Sequence, residues 1–393
     1  MFLYAVQNLL SMIYEPAEDS YLLKRFVDKH AFSSVLDMGT GSGIQAMAAA
    51  KQKRVKSVLA VDVNPEAIKH CKGLHHKIKC LESDLFSKVK GKFDTIIFNP
   101  PYLPEQKGER KVTSRIVAGG KQGYELLDKF LSQTSAHLTS IGSVLIVFSS
   151  LTKKPKVDEI IEKYGFNFTE LAMQRISFEE LYVYEIKKSE LLLMLEKKGI
   201  SNIKEFAKGK RGVVYAGKYK GKDTAIKIER KDSKAVNRIA TEVNWLTRLN
   251  KVGIGPKLLM HDKSWFAYEF VKGDYILQKF EKISKKEILK HINNIFMQCY
   301  KMDQLNVDKE EMHNPYKNLV IGKRPILIDF ERAHHSQDQK NVTQFTQFVL
   351  SMSKDILKRK GFKINMDSLI EAAKNYKKNK NLKNLNSILS LIR

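Results

Sequence analysis

The chain has 393 residues, too many for one ordinary domain, and its 69 Lys+Arg against 43 Asp+Glu give a net charge of +26. Its cysteines, Cys71, Cys80 and Cys299, lack metal-ligand spacing, which argues against a disulfide framework and for a reduced, cytoplasmic setting. No apolar run approaches the roughly 20 residues of a membrane span, so no membrane partner is expected.

Charge is uneven along the chain. Residues 1–185 carry a net charge of +4 and residues 186–393 a net of +22. The second half therefore either attracts a polyanion such as RNA or the ribosome, or spreads lysines over solvated faces. The first residues, Met1 to Ile13, are apolar but lack a basic start and a small-residue cleavage site. They are expected to form a docking strand or helix, not a signal peptide.

Tyr14-Glu15-Pro16-Ala17-Glu18-Asp19-Ser20 reads as a helix start, with Pro16 in the first turn and two acids at the positive end. Val35 to Gly43 is a buried strand entering a glycine loop, Asp37-Met38-Gly39-Thr40-Gly41-Ser42-Gly43, and then a helix. An acid ahead of the glycines favours S-adenosylmethionine over a dinucleotide. Asp62 ends the next strand, about 20 residues past the loop, where a carboxylate accepts from ribose hydroxyls. Asp84 follows a third strand-like run, at the place for an adenine contact.

Phe93 to Phe98 is a further buried strand, and Asn99-Pro100-Pro101-Tyr102 stops it. Two prolines cannot donate to a sheet ladder, so the chain must leave the sheet here. The group suits a planar nitrogen, amide or exocyclic amine, whose N–H groups need acceptors beside a ring. Gly142 to Phe148 reads as another strand, Ile160 to Phe168 as a helix and turn, and Leu181 to Ile186 as a last strand.

Three stretches carry a resemblance: Tyr14 to Leu23, Asn99 to Tyr102, and Ala118-Gly119-Gly120-Lys121-Gln122-Gly123 leading into Leu127 to Phe130. Over about 185 residues the chain resembles class I methyltransferases of the HemK family. The branch is the archaeal and eukaryotic one that methylates the glutamine of the Gly-Gly-Gln motif in translation release factors. The resemblance implies a Rossmann-like α/β fold with a seven-stranded, mostly parallel sheet. It implies S-adenosylmethionine held by Glu18, Asp19, Asp37, Gly39, Gly41, Gly43, Asp62 and Asp84. Asn99 and the Pro100 carbonyl would accept the two amide N–H groups, with Pro101 and Tyr102 completing the catalytic turn. A small zinc-binding activator subunit is implied as a partner. Asn-Pro-Pro-Tyr is also shared with adenine-N6 methyltransferases of nucleic acid, so adenine or a lysine nitrogen stays open as acceptor.

The second half, residues 189–393 after a joint near 188, opens with an apolar helix at Ser189 to Lys198. Then come Gly209 to Gly212, Lys227 on a strand, Glu242 on a helix, and Trp265 to Gly273 with Glu269 inside it. A helix at Ile288 to Tyr300, His313 to Asn318 and Asp329-Phe330-Glu331 follow. This order resembles a small α+β protein kinase of the atypical, RIO-like type. The resemblance implies ATP bound by Gly209, Gly212, Lys227, Glu242 and Glu269, with Mg²⁺ on Asn318 and Asp329. The usual catalytic Asp position holds His313, so phosphate transfer and a scaffolding role both stay open. The tail from Tyr376 to Arg393 reads as a basic terminal helix.

Overall fold

The computed structural model describes residues 13–105, 118–209, 212–229 and 238–393. The expectation for Met1 to Ile13 falls, apart from Ile13, outside the described residues, as do Lys210 and Arg211 of the second glycine loop. The chain divides into two compact units, Met1–Glu205 with Gly217–Lys220, and Phe206–Ala216 with Gly221–Arg393.

In the first unit, strands and helices alternate: α1 (Glu18–His30), β1 (Ser33–Met38), α2 (Ile44–Ala50), β2 (Val55–Asp62), α3 (Pro65–Cys71), β3 (Ile78–Glu82) and β4 (Phe93–Phe98). Then come α4 (Glu125–His137), β5 (Leu138–Ser149), α5 (Lys154–Lys163), β6 (Phe166–Ile176), β7 (Glu179–Lys188) and α6 (Glu190–Lys197). The seven strands form one sheet in the order β3-β2-β1-β4-β5-β7-β6. Its first five strands run parallel, and β7 pairs antiparallel with both β5 and β6. This is the class I Rossmann-like methyltransferase arrangement, with a closing antiparallel hairpin. Strand order reverses between β1 and β4, which opens a crevice at their carboxyl ends.

Three local expectations shift. The helix expected from Pro16 begins at Glu18, so Pro16 precedes it. Phe166 to Phe168 begin β6 and do not end a helix, because Gly165 (φ +78°) breaks the chain after α5. Helix α6, expected to open the second domain, belongs to the first unit. Its Leu192 packs over Gly165, and Glu196 pairs at 2.7 Å with the buried Lys188.

A second sheet contains β8 (Ile200–Lys208), β9 (Gly212–Tyr219), β10 (Lys222–Glu229), β11 (Leu258–His261) and β12 (Trp265–Glu269) in the order β8-β9-β10-β12-β11. Helix α7 (Arg238–Leu249) lies between β10 and β11 in sequence. Next come α8 (Ile276–Lys282), α9 (Lys285–Gln304), and a hairpin of Leu319–Ile321 with Pro325–Leu327. The chain ends in α10 (Asn341–Ser353), α11 (Ile356–Arg359), α12 (Met366–Lys378) and α13 (Leu382–Ser390). Ser284 and Glu287 close a capping box at the start of α9. Its Ile288, Ile292, Ile295, Phe296 and Cys299 enter a core shared with Phe266, Phe330, Phe345 and Tyr376. Two helices occupy the tail, and Leu385 and Ile388 of α13 are fully buried in the same core.

Candidate active sites

The crevice of the first unit is a cavity of about 780 Å³ at the carboxyl ends of β1, β2 and β4. Met38 of β1 pairs with Phe98 of β4, so the glycine loop and the Asn-Pro-Pro-Tyr turn leave the sheet side by side. Gly39, Gly41 and Gly43 all adopt left-handed backbone (φ +66°, +50° and +79°), which an L side chain would strain. Asp62 accepts from the Gly41 amide and the Asn64 amide, both at 2.9 Å, and lines the cavity. Asp84 lines it too, while pairing with Lys129 at 2.9 Å on the surface.

Three residues expected at the cofactor are not among those lining the cavity. Glu18 is exposed. Gly43 begins α2, and a Cβ there would stand 2.6 Å from Leu74 Cδ1. Asp37 is buried behind the loop, accepting from Thr40 Oγ1 (2.7 Å) and the Ala46 amide (3.1 Å). It ties the loop to the first turn of α2, and burial pushes its carboxyl up to about 7.

Asp19 lines the cavity and also braces the Asn-Pro-Pro-Tyr turn. Its carboxylate, 4% exposed, sits under the Asn-Pro-Pro-Tyr turn. It accepts from Tyr14 Oη (3.0 Å), Tyr102 Oη (3.3 Å) and Asn99 Nδ2 (3.2 Å). Burial, then the charge of Asp19, hold both phenols above their ordinary range, so they remain donors. Asn99 Nδ2 also lies 3.2 Å from Ser20 Oγ. With its nitrogen pinned by these partners, the Asn99 side chain can present only its oxygen. That Oδ1 is buried and has no hydrogen-bond partner among the described residues. A buried acceptor without a donor is costly unless a ligand supplies one. The site thus fits an N–H donor at Asn99 and a cofactor along the glycine loop.

Sequence reasoning missed two supports. Gln45 on α2 donates to the Ser20 carbonyl at 2.8 Å and fixes the start of α1, which carries Asp19. The stretch Ala118–Gly120 pairs in parallel with Leu103–Pro104. A Cβ on Gly119 would lie 2.5 Å from the Pro101 carbonyl oxygen, and one on Gly123 would lie 2.4 Å from that of Tyr102. The glycines of the third motif are therefore a backbone buttress for the Asn-Pro-Pro-Tyr turn.

The family described as the methyltransferase small domain matches residues 18–179. The putative protein N5-glutamine methyltransferase of Methanocaldococcus jannaschii is 40% identical over 178 residues, covering 44% of this chain and 89% of that protein. The chain belongs to the HemK family of methyltransferases. Methyltransferase HEMK2 of Mus musculus is 28% identical over 194 residues, covering 45% of this chain and 90% of that protein. A solved E. cuniculi Mtq2–Trm112 complex, which methylates the termination factor eRF1, is similar at 25% identity and a TM-score of 0.38. It covers 46% of this chain and all of that one. HemK enzymes take their methyl group from S-adenosylmethionine, and the glycine loop and Asp62 of this chain suit that cofactor.

The second unit of this HemK-family chain holds a separate cluster. Lys227 on β10 lies 2.6 Å from Glu242 of α7, 3.1 Å from Asp329 and 3.6 Å from Glu331. Glu242 also accepts from the Phe330 amide at 3.1 Å, and Arg238 of α7 pairs with Glu331 at 3.1 Å. Burial pulls the Lys227 ammonium down, but the carboxylates of Glu242 and Asp329 outweigh it and hold it above its ordinary value. Asp329 has left-handed backbone (φ +61°), and Lys309 donates to its carbonyl at 2.8 Å. Burial lowers the Lys309 ammonium to about 8.

Beside this cluster lies a polar cavity of about 60 Å³ whose wall includes Asn318, Asp329 and Glu331. His313 is exposed and is not among its lining residues; Glu311 is. Gly209 donates to the Gly212 carbonyl at 2.9 Å, closing the hairpin, and Glu269 ends β12. Neither glycine nor Glu269 lines this cavity.

Proposed function

We propose that the first unit transfers a methyl group from S-adenosylmethionine to the side-chain amide nitrogen of a protein glutamine, that of the Gly-Gly-Gln motif in a translation release factor. The observation that carries this reading is the unpartnered Asn99 Oδ1, fixed from behind by Asp19 and Ser20. It accepts one amide N–H, and the Pro100 carbonyl accepts the other. An amide nitrogen is a weak nucleophile because its lone pair is delocalised. Two acceptors hold it in line and favour a more tetrahedral nitrogen during attack, with positioning supplying most of the rate. The bound cofactor supplies the electrophilic methyl group; no metal step is invoked. Protein glutamine as acceptor is supported by the relative whose name states that activity. The release factor, and the zinc-binding activator as partner, follow the resemblance of Tyr14 to Leu23 and Ala118 to Gly123.

The test is transfer of labelled methyl to purified release factor, with and without the activator. Label is expected on the intact motif and not on its Gln→Ala form, and Asn99→Ala enzyme should transfer it about 10²–10³-fold more slowly. Label on adenine of RNA or DNA in its place would establish the other acceptor.

For the second unit we propose a nucleotide site of the protein-kinase type. It is supported by Lys227 set between Glu242 of α7 and Asp329, a cation placed for phosphate oxygens. Asn318 and Asp329 would hold Mg²⁺, which would neutralise phosphate charge. Stabilisation of the chain by Mg²⁺ with ADP, lost in Lys227→Met, tests this reading.

A further inference from the structure

We propose that the second unit's cleft transfers phosphate to a hydroxyl, and that Glu311 accepts the hydroxyl proton in place of His313. The inference rests on the nucleotide-site reading above. Sequence spacing leaves the cleft without a carboxylate at the expected position, which is the reason to doubt turnover. The fold supplies one from two residues earlier.

Glu311 lines the small polar cavity together with Lys309, Asn318, Asp329, Glu331 and Arg332. Its Oε2 accepts from Asn318 Nδ2 at 3.3 Å, and its Oε1 pairs with Arg332. These two donors orient the carboxylate while leaving it 43% exposed, where an incoming hydroxyl can reach it. Glu310 and Glu311 both adopt left-handed backbone (φ +60° and +56°), so the turn that brings Glu311 to the cavity is uncommon for side chains of this kind.

Lys309 gives a second, independent indication of an anionic ligand. It is 3% exposed and lines the same cavity. Among the described residues its ammonium donates to a neutral carbonyl, that of Asp329, and lies 4.9 Å from the centre of the Phe330 ring. A buried cation with no carboxylate bonded to it is completed by a phosphate oxygen. Lys227 and Lys309 thus flank Asp329 on its carboxylate and carbonyl sides.

The step balances with a nucleoside triphosphate and a hydroxyl-bearing side chain. The hydroxyl oxygen forms a bond to the terminal phosphorus. The bridging P–O bond breaks, and its electron pair leaves on the nucleoside diphosphate. The hydroxyl proton passes to Glu311 and then to water.

The experiment uses the full chain with γ-labelled ATP, Mg²⁺ and casein as the hydroxyl donor, reading ADP release and label on either protein. Binding of labelled ADP is measured in parallel. Wild-type and His313→Ala chains are expected to turn over within about twofold of each other. Glu311→Gln should bind ADP as wild type does but lose about 10²–10⁴-fold in rate, the usual range for a proton-transfer group. ADP binding without turnover in wild type, or undiminished turnover in Glu311→Gln, would overturn the proposal. Failure of wild type to bind ADP would overturn the nucleotide reading itself.

Discussion

The two units organise buried charge in opposite ways. In the first, Asp19 is a buried anion satisfied by neutral donors, the phenols of Tyr14 and Tyr102 and the amide of Asn99. Among the described residues no cation pairs with it, and Asn99, which lines the cavity, keeps a buried, unpartnered neutral oxygen. In the second, Lys227 is held among three carboxylates, and the cleft stays strongly charged. The first arrangement suits an uncharged amide, where a fixed acceptor is needed and a full charge would favour a cationic amine. The second suits a polyanion with its metal. The contrast teaches that hydrogen-bond orientation governs one site and charge balance the other.

The sharpest way to break this contrast is Asn99→Ala. It should lower methyl transfer by about 10²–10³-fold, the loss seen when one preset hydrogen-bonding group is removed from a transition-state site. Cofactor binding, read by equilibrium dialysis, should hardly change. Asp19→Asn should cost about 10–100-fold in kcat, since an amide at position 19 no longer dictates which end of Asn99 faces the cavity. A kcat equal to wild type would show that Asp19 does not orient Asn99.

Lys227→Met probes the charge-balanced site. It leaves Glu242, 4% exposed, without its cation, so unfolding of the second unit should come at about 3–5 kcal/mol lower stability. Denaturant titration followed by tryptophan fluorescence would measure it, because Trp245 and Trp265 both lie in that unit. Gly119→Ala should cost about 1–3 kcal/mol, because its methyl group would press on the carbonyls of Pro101 and Gly123. Methyl transfer should fall with it as the Asn-Pro-Pro-Tyr turn is displaced.

A further effect concerns pH. Asp37 is raised to about 7 in the folded chain, above its unfolded value of 3.8. The folded state therefore binds the proton more tightly, and that contribution is full below pH 4 and lost as pH rises through about 7. Melting of the first unit should be less stable at pH 8 than at pH 5, and Asp37→Asn should flatten that slope.

Much of the first site was legible because its signals are local. A glycine loop between a strand and a helix, and two prolines after a strand, act within a few residues of the chain. Asp37 was misplaced because an acid ahead of the loop reads the same whether it faces the ligand or ties the loop to α2. The role of Asp19 was hidden for the opposite reason: its partner Asn99 lies 80 residues on. In the second unit, spacing counted from Asn318 pointed to His313, because such counting assumes a loop of fixed length. The left-handed residues Glu310 and Glu311 reshape that loop and bring Glu311 to the cavity.

By itself, then, the sequence determined the alternation of strands and helices, the strand-ending turn with Asn99, the glycine loop and the lysine strand. Each follows from backbone propensities that act over a handful of neighbours. The tertiary structure alone decided which end of Asn99 is free, which acids reach a cavity, and why Gly119 and Gly123 carry no side chain. Those outcomes depend on atoms brought together from distant parts of the chain, where a few ångströms separate a hydrogen bond from none.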